Sequence, residues 1–318
     1  MNEMSEPNQN SAEKSAELFA PLQLLEQARA LRKQNLPEES MLCAERGLEG
    51  LPSGSLRLEL LFELGCSELA AGHWQQAHDH LEACLEQEHP PDALFHRLGR
   101  ACQELGQPAA ARDHYLQALD ARVGHNAGKT WHQLGRVYEQ LGDAPAAIAA
   151  YTEAIACFKS ADRAWETGIS AFQLGRLQLE LETLNEAQNA FRLARQSLAE
   201  DAELRAEACY RLSEIAIQLG QLEEAETLIG EALSIQRHLK NTSRSGICLL
   251  KLCQVLMLQR KWKDVLSTVR EAITTLEGSK EASALKLACE LQAELLQLLG
   301  KHEEAKVWTE KAEKIVNS

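Results

Sequence analysis

The phrase Leu-Gly-Arg occurs three times, at Leu98-Gly99-Arg100, Leu134-Gly135-Arg136 and Leu174-Gly175-Arg176, at intervals of 36 and 40 residues. Self-similarity at such a period constrains a chain more than composition does, because it marks one supersecondary unit copied along the sequence. Aligning the flanks extends the repeat to eight copies, whose equivalent small residues are Ala28, Gly65, Gly99, Gly135, Gly175, Ser213, Cys253 and Ala293. Twelve residues after each comes a second small site: Ser40, Ala77, Ala111, Ala147, Ala187, Ala225, Val265 and Ala305, with only Val265 larger than Ala or Ser. Seven further on stands a third, at Gly47, Cys84, Ala118, Ala154, Ala194, Ala232, Ala272 and Ala312. Small side chains at fixed helical spacing let two helices approach closely, so that a repeat packs its own pair and then its neighbour.

Between the first and second small sites most copies carry a helix stop, Gly72, Gly106, Gly142, Gly220 or Gly300. Glycine there supplies the left-handed residue that ends a helix. In the fourth copy Gly142 is followed by Asp143, whose carboxylate can cap the next helix, and by Pro145, tolerated in a first turn that needs no amide donor. Each copy therefore reads as a helix, a tight turn and a second helix. Composition agrees: Ala, Leu, Glu and Gln dominate, aromatic residues make up 5% and there are only 8 Pro, which favours helices over sheet.

At this point the chain resembles the tetratricopeptide repeat family, over roughly residues 21 to 316. The fourth copy carries the likeness furthest, with Trp131, Leu134, Gly135, Tyr138, Ala147, Tyr151 and Ala154 at the signature sites. The first copy (Gln27, Ala28, Leu31, Ser40, Ala44, Gly47, Pro52) and the seventh (Leu252, Cys253, Val265, Ala272) are degenerate. The resemblance implies an all-α, right-handed superhelical solenoid of about eight helix-turn-helix repeats. The expected repeats lie near 21–54, 58–91, 92–127, 128–163, 164–202, 203–241, 243–280 and 283–318, after a disordered N-terminal segment at 1–20. The spacing of the first small sites grows from 34, between Gly65 and Gly99, to 40 beyond Ser213. Longer repeats of this kind resemble those of tetratricopeptide proteins that act as regulatory scaffolds and peptide-responsive sensors.

A formal charge of -14 opposes the phosphate attraction that drives most nucleic-acid and anionic-membrane binding. The first twenty residues lack a basic start followed by an apolar stretch, and no later run approaches the length that spans a bilayer, so a cytoplasmic chain is expected. Nine scattered Cys, with no CxxC, read as reduced buried thiols.

Little of the sequence suggests catalysis, and neither a cofactor nor a metal is expected. His73, His78, Asp79 and His80 cluster, but His78 and His80 stand two apart on a helix and point to nearly opposite faces, whereas ligands on one helix normally sit three or four apart. No phosphate-cradling glycine loop, GxSxG or HExxH is present. The acid pairs Glu223-Glu224 and Glu303-Glu304 start second helices, where they suit the helix dipole and face solvent. Trp131, Trp74 and Trp262 match packing positions, while Trp165 and Trp308 are left unassigned by the motif.

The resemblance further implies that first helices line an inner, concave wall, so that partner contacts come from first-helix residues left free by packing. These are His96 and Arg100, then Lys129, His132 and Arg136, then Phe172 and Arg176, with Gln103 and Glu139 nearby. Arg100, Arg136 and Arg176 are expected to form an anion-binding row, only partly resembling the carboxylate clamps of some family members, whose usual Asn residues are replaced here by Arg. Further along the positions turn apolar, at Tyr210, Ile217, Ile247, Leu250, Met257 and Leu287. The expected partner is a helical or extended protein segment with acidic and apolar residues. The expected activity is that of a non-catalytic adaptor, with a peptide-responsive sensor or a homo-oligomeric array as alternatives. Self-association through the last repeat would cover Val307, Trp308, Ile315 and Val316.

Overall fold

A computed structural model describes residues 9–49, 51, 53–86, 93–120 and 124–316. These form sixteen α-helices and one short 3₁₀ turn at Cys84–Glu86, with no strand among the described residues. The chain divides into two compact units, residues 1–157 and 158–318.

In the first unit the helices are α1 (Gln9–Lys33), α2 (Pro37–Leu48), α3 (Ser55–Ala71), α4 (Trp74–Ala83), α5 (Leu94–Glu104), α6 (Pro108–Asp120), α7 (Gly124–Gln140) and α8 (Ala144–Ser160). The second unit holds α9 (Ala164–Glu180), α10 (Leu184–Ser197), α11 (Ala202–Gln218), α12 (Leu222–His238), α13 (Thr242–Leu258), α14 (Trp262–Leu276), α15 (Ala282–Leu298) and α16 (His302–Val316). Within each unit a helix packs on its sequence neighbours, and first helices of successive pairs also touch, as α5 does α7 and α13 does α15. This is the layered helix-on-helix packing of a repeat array.

All three small sites are buried in every repeat. At the first, a Cβ built on Gly99, Gly135 or Gly175 would meet the ring of Tyr115, Tyr151 or Phe191, at 2.7, 2.8 and 3.0 Å. Gly65 faces Leu81 in the same way at 2.7 Å. The large side chain stands sixteen residues after the glycine, on the facing helix. Where the first-helix residue grows to Ser213, Cys253 or Ala293, the residue at that second position shrinks to Ile229, Val269 or Thr309. The pair conserves volume, as a close-packed interior demands.

The turn inside every pair contains one left-handed residue. Five are glycines, Gly72, Gly106, Gly142, Gly220 and Gly300, and three are Asn35, Glu182 and Arg260, with φ of 63, 58 and 62°. Asp143 accepts a hydrogen bond from the Ala146 amide at 3.1 Å and so caps α8, with Pro145 in the first turn.

Two expectations need correction. Helix α1 begins at Gln9, inside the segment expected to be disordered, because Ala, Glu, Lys and Leu between residues 12 and 20 are strong helix formers; residues 1–8 lie outside the described residues. Trp262, assigned to packing, is 51% exposed at the start of α14 and is not among the residues packed on the second unit's core cluster. Trp74 and Trp131 do pack partly against core clusters. Trp165 is exposed, its indole N–H donating to Asp201 Oδ2 at 3.3 Å.

Candidate functional site

In the first unit, α5 and α7 place His96, Arg100, Lys129, His132 and Arg136. The two histidines occupy the position three before the small site and so reach the aromatic ring that covers it. His96 lies 5.5 Å from the Tyr115 ring and pairs through Nδ1 with Thr130 Oγ1 at 3.0 Å, while His132 meets Tyr151 edge-on at 5.6 Å. Each tyrosine hydroxyl donates back to its own first helix, Tyr115 to Gln103 Oε1 at 3.1 Å and Tyr151 to Glu139 Oε1. Burial and then the Arg136 charge push the His132 imidazole down to about 4, so it is neutral at physiological pH. His96 and His132 are therefore packing residues as much as surface ones.

The guanidinium groups one residue after the small site differ. Arg100 and Arg136 hold the same position on neighbouring first helices, and neither forms an ion pair among the described residues. Arg136 is exposed and donates to Gln133 Oε1 at 3.1 Å. Lys129, in the second turn of α7, is exposed.

Within the second unit, Arg176 on α9 is engaged locally, donating through Nη1 to Glu180 at 2.6 Å and through Nε to Gln173 at 3.1 Å. Phe172 packs edge-on to Phe191 at 5.3 Å. Tyr210, Leu250 and Met257 are half-buried against the core that α11 to α16 enclose. Tyr210 is also roofed by charge: Arg211 and Lys251 lie 5.8 and 5.5 Å from its ring centre. Those cations belong to a chain of ion pairs, Arg244–Glu207 at 3.2 Å, Glu207–Arg211 and Arg211–Glu214 at 3.0 Å, and Glu214–Lys251 at 3.2 Å. Leu287 is 55% exposed and stands outside that cluster. Trp308 packs on the core beneath Lys311, 4.8 Å from its ring, and Ile315 joins it, while Val307 is exposed; the Val316 side chain lies outside the described residues.

Beside the charge chain opens a cleft of about 520 Å³, lined by Leu179, Glu182, Leu184, Glu214, Ile217, Gln218, Lys251 and Gln254. Its apolar part comes from Leu179 and Ile217, each four residues after a small site, and from Leu184; its polar part comes from Glu214, Gln218, Lys251 and Gln254. Only Ile217 was singled out in advance. Leu179 shares its repeat register, four residues after the small site, and extending that position through the alignment would have found it; the other residues stand at different offsets, Glu182 in the turn and Leu184 at the start of α10.

The histidine cluster resolves into separate contacts. His80 Nδ1 pairs with the buried Glu68 carboxylate at 2.9 Å, while His78 sits near Asp79 and Glu82. Among the described residues no group of three or more His, Cys, Asp or Glu is placed to hold a metal ion, and no helix is long and apolar enough to cross a membrane. Seven of the nine thiols are buried, and burial pushes those of Cys84, Cys209, Cys248 and Cys253 up to about 12.

Three tetratricopeptide repeat family models match the chain, over residues 92–160, 132–194 and 206–238. Residues 92–194 and 206–238 are tetratricopeptide repeats. No curated protein matches it. Among solved structures, this chain is similar to the apo form of RapI, with a TM-score of 0.63 and 14% identity over 93% of this chain and 98% of that one. The apo form of the quorum sensor NprR from B. thuringiensis is similar at TM-score 0.56 and 19% identity, covering 93% of this chain and 87% of its own. A signal transduction ATPase with numerous domains and a tetratricopeptide repeat sensor, from Pyrococcus horikoshii, is similar at TM-score 0.61 and 12% identity, covering 92% of this chain and 45% of that one. At these identities the likeness is one of fold.

Proposed function

We propose that the chain is a non-catalytic adaptor that holds a helical or extended segment of another protein against its first helices. One observation carries the reading: the cleft at Leu179, Leu184 and Ile217 combines an apolar surface with amide and charged groups at a repeating interval. That combination suits an extended backbone with an apolar side chain every few residues, its amides meeting Gln218 and Gln254 and its side chain the leucines. Arg100 and Arg136, on neighbouring first helices of the other unit and without ion-pair partners among the described residues, favour acidic residues elsewhere in the partner, since a guanidinium grips a carboxylate with two parallel hydrogen bonds.

The test is affinity capture from the native host with wild-type chain and with Ile217→Glu, a half-buried residue whose change puts a charge into the cleft. Capture by wild type that Ile217→Glu abolishes, at unchanged helicity, supports the reading; equal capture by both removes the cleft from it. Reversal of Arg100 and Arg136 to Glu should weaken capture separately and flatten its dependence on salt.

A peptide-responsive sensor is the second reading, favoured by the extent of the fold likeness to NprR, 93% of this chain. It requires two conformations with different affinity for the peptide. Small-angle scattering with and without captured peptide separates the two readings, an adaptor keeping one profile and a sensor changing it.

A further inference from the structure

In two places the first helices of successive repeats are joined by ion pairs at fixed repeat positions. Arg29 and Arg32 stand one and four residues after the first small site of their repeat, and they pair with Glu59 and Glu63, six and two residues before the next small site, the first pair at 2.8 Å. In the second unit Glu214, one residue after its small site, pairs with Lys251, two before the next, at 3.2 Å. An acid thus meets a base across each of these joints.

The joint of α5 and α7 breaks this pattern. The two helices touch, and the contact of His96 Nδ1 with Thr130 Oγ1 at 3.0 Å fixes their register. Arg100 holds the position of Arg29, and the residue at the position of Glu59 is Lys129. Gln103 and Gln133 stand where Arg32 and Glu63 do, and Gln133 Oε1 is taken by Arg136. Base therefore faces base. Arg97, one turn before Arg100 on the same face of α5, adds a further guanidinium. The charges of Arg97 and Arg100 both reach the buried Cys66 thiol, and those of Arg100 and Arg136 both reach the Tyr115 hydroxyl, which puts Arg100 between the other two. None of Arg97, Arg100, Lys129 and Arg136 forms an ion pair among the described residues. The only acids in the sequences of α5 and α7 are Glu104 and Glu139, and Glu139 accepts the Tyr151 hydroxyl. In a chain of net charge -14, the fold leaves this one group of cations uncompensated.

We propose that this joint binds a phosphorylated side chain of the partner segment. The phosphoryl group takes the place of the missing acid between Arg100 and Lys129, with Arg97 and Arg136 on either side. Four cations exceed what one carboxylate balances, whereas a phosphoryl group brings a charge of about -1.5 to -2 and three acceptor oxygens to donors arriving from two helices. The assignment deepens the adaptor reading and rests on it for the source of the phosphoryl group. It makes capture depend on phosphorylation of the partner.

Titration of the isotope-labelled full chain with N-acetyl-O-phosphoserine amide, followed by NMR, tests it against N-acetyl-glutamate amide and N-acetyl-serine amide. Saturable shifts at the Arg100 and Arg136 side-chain N–H groups are expected with phosphoserine, with binding about ten-fold weaker for glutamate and none for serine. Lys129→Glu, an exposed change, recreates the Arg29–Glu59 pair across this joint and should abolish the shifts while keeping or raising Tm. Arg97→Gln should weaken binding about ten-fold. Arg270→Glu, the same reversal of charge at an exposed site on α14, should leave it unchanged. No saturable shift, equal affinity for the glutamate probe, undiminished binding by Lys129→Glu, or an equal loss with Arg270→Glu overturns the site. Binding of inorganic phosphate without the phosphoserine probe overturns a partner side chain as its source. Each of these failures leaves the adaptor reading standing, because capture through Ile217 tests that cleft independently.

Discussion

The ring of Tyr151 covers Gly135 so closely that a side-chain carbon on the glycine would lie 2.8 Å from it. Such a contact leaves no room for even a methyl group, and overpacking a fitted interface costs about 1–3 kcal/mol. Gly135→Ser should therefore destabilise the first unit by that amount in urea unfolding. The sixth repeat carries Ser213 with Ile229 at the matching positions, so Gly135→Ser with Tyr151→Ile should lose less than the sum of the two single changes. Additive losses would show that the two sites do not share one space.

Arg260 closes the turn between α13 and α14 at a φ of 62°, where five other turns use glycine. A left-handed non-glycine residue costs roughly 1–2 kcal/mol, part of which glycine returns in unfolded-state entropy. Arg260→Gly should stabilise the protein by about 0.5–1 kcal/mol, read as a raised denaturant midpoint. A lowered midpoint would mean that the arginine side chain makes a contact worth more than the strain.

The fold was legible because each level of the sequence agreed with it: small residues at helical spacing, glycine stops and helix-forming composition all describe the same helix pair. The candidate site was less so. Tyr210 read as apolar groove because Arg211 and Lys251 reach over it from a neighbouring position and the next repeat. Trp262 matched a packing site by register, yet the same register in the second repeat has Trp74 leaning on Gly72, while Trp262 follows Arg260, which bends the turn without offering glycine's flat surface.

His132 has a folded pKa depressed to about 4, below its ordinary value, by burial first and by Arg136 second, with Glu139 opposing. Folding therefore requires the neutral ring. The stability it contributes is present above about pH 6.5 and is lost as pH falls toward 4, by up to roughly 3 kcal/mol. Phe172 occupies the same position one repeat on, so His132→Phe should keep the packing against Tyr151 and flatten this acid loss. An unchanged acid limb in the variant would place the lability elsewhere.

His80 shifts the opposite way. Its hydrogen bond to the buried Glu68 outweighs desolvation and raises its pKa, with Asp79 and Glu45 adding to the effect. The stabilisation is complete below the ordinary histidine value and is lost as pH rises through the folded one. The stability difference between wild type and His80→Gln should thus shrink as the solution is made more alkaline. A difference that grew with pH would contradict the pairing.

A partner segment lying on the first helices shields their backbone amides from solvent. Hydrogen exchange of the chain with and without its captured partner reads this directly. Slowed exchange is expected in α9, α11 and α13 around Leu179, Ile217 and Gln254 and at the start of α10 by Leu184, with the rest of α10, α12 and α14 little changed; protection confined to the second helices would rule the arrangement out.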